Sequence, residues 1–130
     1  MNTAIIGLGS NINAEVNILK AKAILAQDYE VINESRFGKT KPIGPSLQPD
    51  FINGALLLKT ELNYQQLRRQ LKYIEAALGR TETMEKCGPG PIDLDIIVWN
   101  NKIIHRDFYE RSFIRDTVLE LLPDLKTEAW

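Results

Sequence analysis

An aliphatic run from Ile92 to Trp99 is interrupted by two aspartates, Asp93 and Asp95, and preceded by Gly88-Pro89-Gly90-Pro91. A β-strand sends successive side chains to opposite faces, so Asp93, Asp95, Ile97 and Trp99 are expected on one face and Ile92, Leu94, Ile96 and Val98 on the other. The two acids then share a face with their Cα atoms about 6.5–7 Å apart. That is close enough for both carboxylates to hold one hard cation, and magnesium, which favours oxygen ligands and substrate phosphates, is the natural candidate. The plain alternative is a pair of solvated acids guarding a sheet edge. The aliphatic residues of the opposite face argue against it, because they imply a buried strand in which unpaired charge is costly.

The rest of the chain sets the frame. Its 130 residues suffice for one domain, expected over 1–130, and a composition of 44% hydrophobic and 25% charged residues is that of a soluble globular chain. A formal charge of −1 gives no general attraction to nucleic acid or to an acidic membrane, so any anion must be bound locally. One cysteine, Cys87, excludes an internal disulfide framework and fits a cytoplasmic protein. No signal-like amino terminus and no apolar run of membrane-spanning length is present.

Taken in order, residues 3–9 read as a central strand ending in glycine. Asn13 is placed to cap a helix whose core stripe is Val16, Leu19, Ala23 and Ala26. Val31 to Phe37 reads as a second strand, and Gly38 to Pro49, with its prolines and glycines, as a long loop. Phe51 to Leu62 returns to strand, with Ile52, Leu56 and Leu58 on one face. Phe51, Asn53 and Ala55 lie on the other, where an aromatic ring beside an amide suits a flat heterocycle, or else a core Phe with a satisfied Asn. Asn63 and Gln66 have capping-box spacing ahead of a helix carrying Leu67, Leu71, Ile74 and Leu78, with Gly79 as its stop. Arg80 to Pro91 is a second loop. Asn100 and Asn101 turn the chain into a short strand near 102–104, and Thr117 to Leu122 ends a last helix before Pro123. The order strand, helix, strand, strand, helix, strand is the ferredoxin-like βαββαβ plan of an α+β protein. It makes the first and third strands central, sets the fourth beside the first, and packs both main helices on one face of an antiparallel sheet, with a short C-terminal helix after it.

Several motifs occur together: Gly9-Ser10-Asn11, Thr40-Lys41-Pro42-Ile43-Gly44-Pro45, Gln48 to Asn53, Ile74-Glu75 with Gly79-Arg80, and Gly88 to Ile96. In order and spacing they resemble the 6-hydroxymethyl-7,8-dihydropterin pyrophosphokinases of folate biosynthesis, over residues 4–104 and again from Arg111 to Pro123. The resemblance implies transfer of a diphosphate from ATP to the pterin hydroxymethyl oxygen, with release of AMP. It implies two Mg²⁺ ions on Asp93 and Asp95, with Arg80 as a further catalytic residue. It sets Lys72, Glu75, Arg80, Lys86, Ile96 and Arg111 at the nucleotide, and Gly9, Thr40, Lys41, Pro42, Ile43, Phe51, Asn53 and Phe113 at the pterin. The implied partners are these small molecules, bound by a monomer that uses neither nucleic acid nor membrane.

The chain also departs from that pattern. The family usually carries Arg where Gly90 stands, Trp where Cys87 stands, and basic residues near Glu82 and Thr83. Arg80 and Lys86 are balanced by Glu82 and Glu85, so the loop over the triphosphate is neutral and weaker nucleotide binding is expected. The segment between Ile104 and Arg111 is short; His105 either replaces the family's nucleotide-side histidine, for which it falls slightly early, or is exposed and without function. Cys87 reads as a small packing residue rather than a reactive thiol. Two other functions compete with the enzyme: a pterin- or nucleotide-binding homologue without efficient transfer, and a magnesium-dependent phosphohydrolase. The second is disfavoured because no histidine or third carboxylate is evidently placed beside the aspartates.

Overall fold

A computed structural model of the chain describes residues 1–41, 49–79 and 91–127. The first strand, β1 (Asn2–Ser10), is buried along nearly its whole length, and a strand buried on both faces must lie inside a sheet. It does: β1 runs antiparallel between β4 (Phe51–Thr60) and β5 (Asp93–Trp99). Outside these lie β2 (Glu30–Glu34) and β3 (Gly38–Thr40), both paired to β4, and β6 (Lys102–Ile103), paired to β5. The sheet order is β2-β4-β1-β5-β6. The expected plan therefore holds, with the first and third main strands central and the Asp-Leu-Asp strand beside the first. The segment expected as a loop from Gly38 begins instead with β3, because Gly38, Lys39 and Thr40 find partners in Asn53, Ile52 and Phe51.

One face of the sheet is covered by α1 (Ala14–Asp28) and α2 (Tyr64–Ala77), which bury Ile18, Ala21, Leu25, Leu67, Leu71 and Ile74 against Ala4, Ile6, Leu8, Leu56, Leu58, Leu94 and Ile96. The other face carries α3 (Asp107–Glu110) and α4 (Ser112–Leu121), whose Phe108, Ile114, Val118 and Leu121 pack on Ile5, Ala55, Ile97 and Val98. This second layer is larger than expected. The last helix begins at Ser112 and ends, as expected, just before Pro123, and it covers part of the face that the simple plan leaves bare.

Two side-chain assignments change with the packing. In α1 the buried set is Asn17, Ile18, Ala21 and Leu25, while Val16 and Leu19, expected in the core, are 52% and 65% exposed. The helix carries apolar residues on several faces, so periodicity alone does not choose between them. Asn13 occupies the cap position in a left-handed conformation (φ 45°), but its side chain makes no cap bond; Asn17 Nδ2 instead donates to the Ile12 carbonyl at 2.6 Å. In β5 the pairing with β1 slips by one residue, since Ile5 faces Val98 while Ile6 faces Ile96. Beyond this bulge the alternation inverts. Val98 joins the α4 side, and Trp99 turns to the α2 side, where it meets the Tyr64 ring edge-on at 5.9 Å.

The second helix and the last hairpin follow the sequence closely. Asn63 Oδ1 accepts the Gln66 amide and Gln66 Oε1 accepts the Asn63 amide, both at 2.9 Å, which completes the capping box. Replacing Asn63 with alanine leaves the Gln66 amide without its acceptor; a loss of about 1 kcal/mol, or about 3–5 °C in melting temperature, is expected by thermal denaturation. Gly79 ends the helix at φ 105°, where a side chain would be strained. Asn100 and Asn101, at φ 49° and 65°, form the mirror-image turn that a two-residue hairpin requires. That hairpin brings the chain back over β5 and so delivers His105 to the site.

Candidate active site

The register of the three central strands decides which side chains meet. Gly9 lies opposite both Asn53 and Asp93, and Gly7 opposite Ala55 and Asp95. Odd-numbered residues of β1, β4 and the first half of β5 thus share the face away from α1 and α2. With glycine at the two central positions, the middle strand adds no side chain there and a hollow is left between Phe51 and Asn53 on one flank and Asp93 and Asp95 on the other. The hollow is a cavity of about 360 Å³, closed on its far side by His105, Asp107, Arg111 and Ile114. The expectation that Asp93 and Asp95 share a face with each other, and Phe51 with Asn53, agrees with this packing. The register further sets both pairs around one cavity.

Asn53 is 4% exposed, and its amide is hydrogen-bonded to a neighbouring strand. Nδ2 donates to Thr40 Oγ1 on β3, while Oδ1 lies over Gly9, where an added Cβ would come within 2.5 Å of it. The amide is fixed before any ligand arrives. Phe51 is also buried and contributes a ring to the same wall. Phe113, expected opposite it, packs on Gly38 of β3, with the Arg36 guanidinium 5.7 Å from its ring centre. Lys41 is exposed and does not line the cavity.

A second cavity, about 180 Å³, opens between α2 and β5. Lys72, Glu75 and Ile96 all line it, together with Tyr64 and Arg68. Glu75 also serves the strand, its Oε2 accepting the Leu94 amide at 2.8 Å, which fixes β5 against α2. Arg68 was not among the residues singled out from sequence, although it lies one helical turn before Lys72 on the same face. Arg111 sits apart from this group, in the first cavity.

Asp95 and His105 line both cavities and form their common wall. His105 Nε2 is 4.0 Å from Asp95 Oδ1, and His105 Nδ1 is 3.7 Å from Asp107 Oδ2. The Asp107 backbone amide donates to Nδ1 at 3.1 Å and sets the ring's orientation. His105 is therefore no surface bystander, its side chain being 27% exposed. The premise that the aspartates have no histidine or third carboxylate beside them is likewise overturned, by His105 and Asp107. Neither was legible locally, since only the hairpin and the start of α3 bring them back to β5. Arg80, Lys86, Pro42 and Ile43, with the departures at Glu82, Thr83, Cys87 and Gly90, lie outside the described residues.

The sequence profile of 7,8-dihydro-6-hydroxymethylpterin-pyrophosphokinase matches residues 5–123, nearly the whole chain. The chain belongs to this family. It is 37% identical to the 2-amino-4-hydroxy-6-hydroxymethyldihydropteridine pyrophosphokinase of Haemophilus influenzae over 136 aligned positions, covering 96% of this chain and 84% of that protein. The Bacillus subtilis enzyme of the same name is 35% identical, over 98% of this chain and 83% of its own length. In Arabidopsis thaliana the match, again 35% identical, takes in 91% of this chain but 26% of a folate synthesis bifunctional protein. Within the pyrophosphokinase match fall both cavities and their shared wall, every described residue of which lies between Gly7 and Ile114.

Proposed function

We propose that this chain is a pyrophosphokinase of folate biosynthesis, transferring a diphosphate from ATP to the hydroxymethyl oxygen of 6-hydroxymethyl-7,8-dihydropterin and releasing AMP. The observation that carries the reading is the shared wall. A transfer between two substrates needs two sites that meet at the reacting atoms, and here an aromatic-amide cavity and a cavity carrying Arg68 and Lys72 are joined at Asp95 and His105.

In this reading the first cavity takes the pterin. Phe51 supplies a stacking surface, and Asn53 offers donor and acceptor to the polar edge of the ring. Because Thr40 already holds that amide, little ordering remains to be done on binding. Gly9 is thus a residue of the pterin side by making room rather than by contact. The second cavity takes the nucleotide, with Arg68 and Lys72 toward its phosphates and Ile96 toward its apolar parts. Arg111 lines the acceptor cavity while Lys72 lines the other, and the family resemblance adds Arg80 and Lys86 to the cationic set.

The fit to magnesium rests on donor chemistry, since Asp93 and Asp95 present two carboxylates to one cavity beside the nucleotide pocket, the oxygen set that this ion favours. Bound there, the ion would neutralise charge on the polyphosphate and draw the two substrates together. The protein's own contribution is positional: Glu75 fastens the Leu94 amide between the two aspartates and so keeps both side chains on the cavity face. The lone cysteine suits a reducing cytoplasm.

The test is AMP formation from ATP and Mg²⁺ with and without 6-hydroxymethyl-7,8-dihydropterin. AMP that depends on both pterin and Mg²⁺ is expected. Phosphate release without pterin would make the chain a hydrolase and overturn the reading.

A further inference from the structure

The wall between the cavities sets one imidazole close to two carboxylates. Asp95, His105 and Asp107 each bring one ligand atom within 4.8 Å of the other two. Their side chains are 18%, 27% and 23% exposed, so the group is recessed yet open to solvent on one side. The convergence is built in by the backbone. The Asn100-Asn101 turn and the bond from the Ile104 amide to the Ile97 carbonyl, at 2.9 Å, fold His105 back over β5, and the first residue of α3 is Asp107.

We propose that Asp95, His105 and Asp107 form a site for a borderline divalent cation of the zinc or cobalt type, chemically distinct from the pair Asp93 and Asp95. Magnesium takes oxygen ligands and gives up water reluctantly, whereas imidazole suits zinc and cobalt. Two carboxylates and one neutral imidazole are the ligand number of an open site, with a position left for water or a phosphate oxygen. Tetrahedral ligands at about 2.0–2.1 Å from a metal stand about 3.4 Å apart, so modest side-chain rotations close the present triangle. Whichever ring nitrogen coordinates, the hydrogen bond from the Asp107 amide to Nδ1 is exchanged for the metal bond. Asp95 belongs to both sets, so a cation held here competes with magnesium for that carboxylate. That consequence, inhibition of nucleotide use, rests on the proposed function; the binding itself does not.

Co²⁺ is titrated into the tag-free full chain without nucleotide, followed by calorimetry and visible absorption. One equivalent is expected to bind in the micromolar range, with Mg²⁺ displacing it only in large excess. His105→Gln should weaken Co²⁺ by about 30-fold or more as a lost ligand, and Asp107→Asn by about tenfold or more. Cys87→Ser should leave the affinity unchanged. The chain has a single histidine, so its ring resonances offer a readout on the unmutated protein, and Zn²⁺ should shift them. A His105→Gln chain with a normal melting temperature and wild-type Co²⁺ affinity would overturn the site, as would unshifted ring resonances or loss of binding in Cys87→Ser. A failure of pterin-dependent AMP formation would leave these binding results standing, which separates the two proposals.

Discussion

Asp95→Ala lowers pterin-dependent AMP formation by at least about 10³-fold, or about 4 kcal/mol of transition-state stabilisation. The expectation is large because Asp95 lines both cavities, so its removal takes a carboxylate from the one place where the two substrates would meet. It also leaves His105 without the partner 4.0 Å from Nε2. The side chain faces a cavity rather than packed core, so the fold should tolerate the change, with a melting temperature near that of the wild type. Steady-state kinetics with both substrates, alongside pterin binding measured by fluorescence, checks the prediction. Pterin binding should survive, because Phe51 and Asn53 are untouched. Turnover retained in a folded Asp95→Ala chain would sink the assignment of this carboxylate.

Gly9→Ala should damage the pterin side by a purely steric route. The new Cβ would stand 2.5 Å from Asn53 Oδ1, well inside contact distance, and Asn53 can retreat only by giving up its bond to Thr40 or by entering the cavity. Either the amide swings out and breaks the Thr40 bond, or β1 and β4 separate locally. Overpacking of this kind costs about 1–3 kcal/mol of stability. Misdirecting a buried amide that reads the ligand should weaken pterin binding by about 10²-fold. Isothermal titration with the pterin, paired with a denaturation curve, distinguishes this from general unfolding. The effect on the nucleotide side should be small, since Lys72, Glu75 and Ile96 lie across the sheet. Unaltered pterin affinity in Gly9→Ala would show that Asn53 does not read the ligand.

These two expectations differ in how they could be reached. Asp93 and Asp95 are conspicuous in the sequence, because a strand's period of two puts them on one face and their aliphatic neighbours on the other. The second helix is equally plain, with its capping box and an apolar stripe on a single face. Asn100 and Asn101 announce a hairpin because both must adopt positive φ. The family resemblance adds the substrates, and the profile match bears it out.

The neighbours of those residues were set elsewhere. Val16 and Leu19 of α1 look as suited to the core as Ile18, Ala21 and Leu25, and only the sheet beneath chooses between the faces. The inversion at Val98 and Trp99 arises from a slip in the pairing with β1, a property of two strands and not of either alone. The same holds for the site. Local sequence determined which side chains share a face, because backbone geometry fixes that residue by residue. Tertiary structure decided that Gly7 and Gly9 open a hollow between Asn53 and the two aspartates, and that a hairpin returns His105 and Asp107 to Asp95. Such meetings depend on strand register and on the docking of α3 and α4, whose free energy comes from contacts between residues distant in the chain.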